Sequence, residues 1–429
     1  MTKKTEELIG RYRWLICALL FIATTINYID RQILSLLKPI LDEEMKWTNE
    51  QFGDLNSLFQ GSYALSLLFF GWFVDRFGAK RGYAVSIAAW SFAAIGHALV
   101  GSIRGFQFAR IALGLGEGGN FPAALKAVAS WFPKRERAFA TSIFNAGSNV
   151  GAIVAPAIVP PLAYSWGWHS AFVIAGIAGL LWLALWIPLF QNSPEMVKAV
   201  GKGELDHIRS DLETESTAKM RWRDLLGYRQ TYSFMIAKFL TDPVWWFMLI
   251  WLPDFFKKTR GLDIKTSWVH LVTIYSIVTV LSITGGWLTG YLNRRGYSAS
   301  RARKTGMVIF ALAVVPIIFA TKVGDWEAVV LIGIAGAAHQ AWSATLFTTV
   351  SDMFPKRAVA SVIGLGGMAG SIGGMIFPKA SGKLLDAFTA SGNVTAGYTV
   401  LFTICGFAYL VAFGINHLLA PRFEQVKLR

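Results

Sequence analysis

The sequence predicts an all-α membrane protein of twelve transmembrane helices, arranged as two parallel six-helix halves. Three observations carry that prediction. Charged residues make up only 16% of the 429, against 54% hydrophobic and a mean hydropathy of +0.45, whereas a soluble domain carries about 25% charged residues. The apolar residues gather into stretches close to the ~20 that a membrane helix needs. Short segments also recur at about half the chain length, at equivalent places among those stretches.

In chain order the apolar windows fall near 14–37, 55–74, 83–101, 106–130, 138–163, 169–190, 232–256, 267–292, 305–321, 328–351, 358–379 and 397–419. The first follows Arg11–Tyr12–Arg13, is too long for the apolar core of a signal peptide and lacks a small-residue cleavage site, so it is expected to be retained. With both termini in the cytoplasm, most of the 41 Lys and Arg fall on the cytoplasmic segments, as the positive-inside rule requires. One outer loop departs from that rule, with Lys257, Lys258, Arg260 and Lys265. The longest break, 191–231, holds seven basic and seven acidic residues, including the run Asp211–Leu–Glu213–Thr–Glu215. It reads as a cytoplasmic linker with a short surface helix, dividing the chain into an N-terminal half 1–190 and a C-terminal half 232–429.

The net charge of +15 would suggest a nucleic-acid partner in a soluble chain. Here it is loop charge that orients helices, so the expected partner is the lipid bilayer and not nucleic acid. Cys17 and Cys405 both lie in apolar stretches and suit neither a disulfide framework nor a metal site.

The repeat is specific. Phe132–Pro133–Lys134–Arg135 after the fourth window recurs as Phe354–Pro355–Lys356–Arg357 after the tenth. Both copies lead into small-residue helices, Ala146–Gly147…Gly151–Ala152 and Gly366–Gly367…Gly373–Gly374. Gly71–Trp72 recurs as Gly286–Trp287. Six spans is an even number, so the copies share one orientation, which makes this a parallel repeat about the membrane normal.

At the end of the second window stands Gly71–Trp–Phe–Val–Asp75–Arg76–Phe–Gly78–Ala–Lys80–Arg81. It is similar to the signature of the major facilitator superfamily, glycine-x-x-x-aspartate-arginine-x-glycine-x-lysine/arginine, and the resemblance extends over nearly the whole chain. What it implies is a transporter that rocks two halves about a central site. Gly71, Asp75, Arg76, Gly78 and Arg81 would form a conformational latch, with Asp75 capping the third span or pairing with a basic residue near span eleven. The second half lacks the acid, so any latch is asymmetric.

Seven ionisable residues inside the windows stand out: Asp30, Arg31, Arg110, Glu117, Lys126, Lys238 and Asp242. At roughly 2.5–3.5 kcal/mol each near the bilayer centre, seven unpaired charges would cost about 18–25 kcal/mol, more than the ~5–15 kcal/mol stability of a fold. They must pair, be neutralised or face water. Lys126 can snorkel to the interface as a topology anchor. Arg110 and Glu117, seven apart, lie within about 20° on one helix face. An Asp30–Arg110 contact is allowed, and Lys238 and Asp242 are i,i+4 just before Pro243, where the missing donor can open the helix. One reading makes these static ion pairs. The other uses their competition: protonating Asp30 or Glu117 frees a guanidinium for a substrate carboxylate, so that proton and anion bind together.

Asn27–Tyr28–Ile–Asp30–Arg31 and Gly114–Leu–Gly116–Glu117–Gly–Gly–Asn–Phe–Pro122 resemble the anion:cation symporter branch of the superfamily. The resemblance implies that Tyr28 and Arg31 touch substrate, that Asp30 and Glu117 handle protons and that Arg110 couples them, with Tyr63 and Trp342 as further contacts. Lys238–Phe–Leu–Thr–Asp242–Pro243 and Ala338–His339–Gln340–Ala–Trp342 are closer to hexuronate transporters, a pattern from which Asp30 departs, so Glu117 is the firmer proton carrier. A hexuronate carries one carboxylate and several hydroxyls. Arg31 or Lys238 can supply charge, Asn145, Ser148, His339 and Gln340 hydrogen bonds, and Tyr28, Tyr63 or Trp342 a stacking face.

The expected function is therefore proton-coupled import of a sugar acid such as galacturonate or glucuronate, by a monomer in the bacterial inner membrane. Galactonate or glucarate transport, anion exchange and a non-transporting nutrient sensor are the alternatives. An enzyme is not expected: His-Glu-x-x-His, a paired-aspartate metal motif and a nucleophile elbow are all missing, as is the phosphate-binding loop of an ATP-driven pump, and no cofactor is implied.

Overall fold

A computed structural model describes residues 10–210 and 222–426; the run Asp211–Glu215 lies outside the described residues. Every regular element among them is helical. In chain order they are α1 (Tyr12–Met45), α2 (Asn49–His97), α3 (Ile103–Glu117), α4 (Asn120–Trp131), α5 (Lys134–Trp166), α6 (His169–Leu189), α7 (Lys202–Arg209) and α8 (Trp222–Leu225). Then follow α9 (Arg229–Arg260), α10 (Ile264–Arg294), α11 (Ala299–Val314), α12 (Asp325–Met353), α13 (Lys356–Ala390) and α14 (Val394–Leu419). Nine of the described helices are long and apolar enough to cross a membrane. The 49-residue α2 has the length for two crossings. With that second arm, the α3–α4 pair and α10 counted, the helices agree with twelve spans.

The chain divides into two compact units, Met1–Ile40 with Leu58–Glu215, and Leu41–Ser57 with Ser216–Arg429.

In the first unit α2 folds back on itself at a single non-helical residue, Gly78 (φ 86°). A straight helix would set Val74 and Gly82 about 12 Å apart, yet a Cβ on Gly82 would lie 3.6 Å from the Val74 Cα. Positive φ favours glycine here, and the turn is held by Asn192, whose Oδ1 accepts the Lys80 N–H at 2.8 Å. The start of the third span is thus capped by Asn192 rather than Asp75.

The fourth span is not the single helix expected over 106–130. It is interrupted at Gly118–Gly119, both of which keep right-handed helical backbone angles, and its glycines lie against both arms of α2. A Cβ on Gly114 would meet the Phe59 carbonyl at 2.5 Å and one on Gly118 the Ser66 Cβ at 2.5 Å. On the other arm, a Cβ on Gly116 would meet the Trp90 amide nitrogen at 2.5 Å and one on Gly119 the Ser86 Cβ at 2.6 Å. Small residues give membrane helices this close approach. The approach lets Ser86 donate to the Gly116 carbonyl at 2.6 Å and Tyr83 to Asn120 at 2.7 Å. Tryptophan N–H groups fasten α6: Trp182 donates to Leu19 O at 2.9 Å and Trp186 to Lys80 O at 3.2 Å.

The N-terminus of α1 is capped from the linker. Glu204 of α7, buried, accepts the backbone N–H groups of Tyr12 and Arg13 at 3.3 and 3.0 Å. The Arg13 side chain bridges to Glu136 at 2.9 Å, which His207 also contacts at 2.6 Å. Burial pushes the Glu136 carboxyl up, but its bonds to Arg13 and His207 outweigh that and hold it below the usual carboxylate value.

In the second unit α9 packs on α13 and α14, and α10 on α12. The sequence repeat reappears as packing. The glycines of α5 lie on α1, where Gly147 would crowd the Phe21 carbonyl at 2.5 Å and Gly151 that of Thr25 at 2.7 Å. Those of α13 lie on α9, where Gly373 would crowd the Pro243 Cγ at 2.7 Å and Gly370 the Asp242 Cγ at 3.0 Å. Contrary to the expectation of an opened helix, α9 runs unbroken through Pro243 and Pro253. The sequence Asn393–Val–Thr395 serves as a helix cap, Asn393 Oδ1 accepting from the Ala396 N–H at 3.1 Å.

Three of the four cations that depart from the positive-inside count are paired within this unit. Lys257 pairs with Glu43 at 2.6 Å, Lys258 with Asp254 at 3.2 Å and Arg260 with Asp325 at 3.7 Å. All three cations sit in the last turn of α9, where the helix dipole favours them. The segment 41–57 is held by the same unit. Asp386 of α13 accepts from Asn49 N at 2.9 Å, Asn49 Nδ2 at 2.8 Å and Glu50 N at 2.7 Å, capping α2. Lys258 adds a bond to Asn49 Oδ1 at 2.8 Å, and Lys379 pairs with Asp54 at 2.9 Å.

Candidate functional site

Four of the buried ionisable groups gather in the first unit. Arg31 of α1 donates through Nε to Glu117 of α3 at 2.6 Å, and both are buried. The Arg31 guanidinium carbon stands 5.1 Å from the Tyr28 ring, 5.4 Å from Phe59 and 4.4 Å from Tyr63. Arg110 lies over Phe59 at 4.4 Å. A single buried phenyl ring therefore serves two guanidiniums, and such contacts are worth about 0.5–2 kcal/mol each. Phe59 was not among the residues singled out from the sequence, since nothing in it distinguishes one of 31 phenylalanines.

The hydrogen-bonded pair is thus Arg31–Glu117, not the Asp30–Arg110 contact that the sequence allowed. Asp30 is buried within the electrostatic reach of Glu117 and Arg110, yet neither of its carboxyl oxygens accepts a hydrogen bond. Adjacent helix residues point about 100° apart, and of the two it is Arg31 that bonds Glu117. Asn145 and Ser148 stand on α5 beside Gly147, Asn145 exposed and Ser148 half-buried. The Ser148 hydroxyl donates to the Asn145 carbonyl at 2.7 Å.

A second cluster forms in the other unit. Lys238 and Asp242 of α9 pair at 2.8 Å, with the ammonium 4.5 Å above the Phe347 ring. His339 is buried, stacked on Trp245 at 5.5 Å and bonded through Nδ1 to the Tyr409 hydroxyl at 2.5 Å. Trp342, fully buried, meets Tyr409 edge-on at 5.6 Å. These two contacts place His339 and Trp342 in a packed core beside the ion pair, while Gln340 is half-buried. Asp254 lies inside the 232–256 window and belongs with the buried ionisable groups. It accepts from the Tyr398 hydroxyl at 2.5 Å.

Around the signature segment, Asp75 is exposed and pairs with Lys126 at 3.3 Å, and Lys126 also donates to the Val74 carbonyl at 2.8 Å. That lysine ties α4 to the turn of α2 and is more than a topology anchor. Arg76 lies 5.9 Å from the Phe77 ring, Gly71 has open space where a Cβ would project, and Arg81 is exposed.

The chain is similar to known proteins over most of its length. A description of the Major Facilitator Superfamily matches residues 20–378. The hexuronate transporter of Escherichia coli strain K12 is 30% identical over 402 residues, covering 91% of this chain and 90% of that protein. A protein of the same strain named "probable galactarate/D-glucarate transporter" is 28% identical over 427 residues, covering 93% and 94%. The crystal structure of a bacterial homologue of the human lysosomal transporter Spinster, inward-facing and occupied, superposes with a TM-score of 0.77 at 17% identity, covering 96% of this chain and 98% of that one. Relatives named for sugar acids thus match nearly end to end, and the family description spans most of the sequence: this chain belongs to the Major Facilitator Superfamily.

Proposed function

We propose that the protein is a proton-coupled symporter that imports a sugar-acid anion, a hexuronate such as galacturonate or glucuronate, by alternating access in the bacterial inner membrane with both termini cytoplasmic. The observation that carries the reading is the buried Arg31–Glu117 pair, ringed by Tyr28, Phe59 and Tyr63. In the ionised state Asp30 and Glu117 balance Arg31 and Arg110. One monoanion added to that set would leave a net buried negative charge, which a low-dielectric interior disfavours strongly. One proton taken up with it restores neutrality. Protonating Glu117 cancels its hold on Arg31, and the guanidinium then grips the substrate carboxylate with two parallel N–H bonds. Tyr28 and Tyr63 offer the sugar ring a face. Support for the substrate class comes from the relatives named for hexuronates and for galactarate or glucarate.

Asp30 supports a second reading. Its unbonded carboxyl is a further proton acceptor in the same cluster, and two protons would balance a dicarboxylate such as glucarate. Uptake of galacturonate, glucuronate, galactonate and glucarate into proteoliposomes, with and without a proton gradient, separates the readings. Gradient-driven accumulation of a hexuronate with one proton per anion is expected. Glu117→Gln should abolish that accumulation while leaving exchange of labelled substrate, and unimpaired accumulation would sink the coupling role. A protein without counterflow of any of the four would be a sensor rather than a transporter.

A further inference from the structure

At the turn between the arms of α2 and the end of α6 lies a cavity of about 630 Å³. Its walls include Lys80, Arg81, Gln191 and Asn192 on the polar side and Phe77 and Ile187 on the apolar side. We propose that it binds the headgroup of an anionic phospholipid, the phosphodiester lying against Lys80 and Arg81 and the glycerol end against Phe77 and Ile187.

Three features converge on that ligand. The first is charge: the lining holds two cations and no carboxylate. The neighbouring acids are already engaged, Asp75 with Lys126 and Glu195 with Arg209, so among the described residues neither Lys80 nor Arg81 has an ion-pair partner. The second is position. Ile187 is 49% exposed in the last turn of a 21-residue apolar helix, at the level where a span meets the headgroups. The third is the mixed lining: a soluble anion has no use for exposed Phe77 and Ile187, whereas a lipid presents a charged group and an apolar stem together. Cations at this level attract anionic lipid headgroups, and the Asn192 bond to the Lys80 backbone holds the cationic wall in place.

The test is native mass spectrometry of the delipidated full chain with dioleoyl phosphatidylglycerol and dioleoyl phosphatidylcholine in equal amounts. One phosphatidylglycerol should be retained preferentially. The double variant Lys80→Gln with Arg81→Gln should lose about 30-fold of that preference, and each single variant about fivefold. The pair Lys198→Gln with Lys202→Gln, exposed and outside the cavity, should lose none. Equal loss in that control pair would mean a diffuse surface field and overturn the site. Displacement by inorganic phosphate at the concentration of the lipid would assign the cavity to a free anion instead, and the absence of any preference for phosphatidylglycerol would remove it altogether.

Discussion

The cluster around Phe59 and the set of charges that holds segment 41–57 are built from similar residues, yet they are finished differently. In the second, acceptors are saturated. Asp386 takes three donors, and Asp254 takes Tyr398 on one oxygen and Lys258 on the other. In the first, Arg31 and Glu117 share one short bond while the Asp30 carboxyl accepts none. A buried carboxylate without a donor is costly as an anion, so that cluster has a standing demand for a proton or a rearrangement. The saturated set has no such demand and can only be held or released. Chemistry is expected where the bonding is incomplete, and mechanical restraint where it is complete.

Arg31→Gln tests the incomplete side hardest. It leaves Glu117 buried without its partner, a change worth about 3–5 kcal/mol where a buried pair is broken. Uptake should fall at least ~100-fold, and Arg31→Lys should recover only part of it because an ammonium lacks the planar fork. Initial rates in proteoliposomes decide, and retention of more than a tenth of the rate would remove Arg31 from the site.

Asp386→Ala breaks the complete side. Losing a cap costs about 0.5–2 kcal/mol, so the amides of Asn49 and Glu50 should exchange with deuterium about 3–30-fold faster while the α3 amides keep their rates. Unchanged exchange at Asn49 and Glu50 would show that Lys258 and Lys379 suffice to hold the segment.

The smallest effect belongs to Glu136. Its carboxyl lies below the ordinary value of ~4.3, so its ionised bonds stabilise the fold above that value, and the contribution is lost as pH falls through the lowered folded value. Glu136→Gln should lower Tm by about 2–4 °C at neutral pH, with the gap closing under strongly acidic conditions. A gap indifferent to pH would assign the residue to packing.

How much of this was legible in the sequence follows from what each feature depends on. Spans were legible because hydropathy is a local sum, and the repeat because its segments survive at one offset. The glycines of α3 and α13 were visible as a pattern, and their purpose became clear only with the partner helix in place. Arg31 was identified as a substrate contact, but its partner was not: the sequence sets the 100° between Asp30 and Arg31 and leaves the absolute rotation of α1 to tertiary packing. Asp386 carried no signal at all, since it caps a helix more than three hundred residues earlier in the chain. Asn192 at the Gly78 turn was hidden for the same reason.

Gly78 has a bearing on how the protein is made. A one-residue joint between two apolar arms leaves no length for one arm to wait outside the bilayer while the other crosses. Two arms entering as a single hairpin would carry Arg76, Lys80 and Arg81 at the tip, and those cations would orient both at once. Lengthening that joint would not merely loosen a turn; it would allow the two crossings to choose their direction separately.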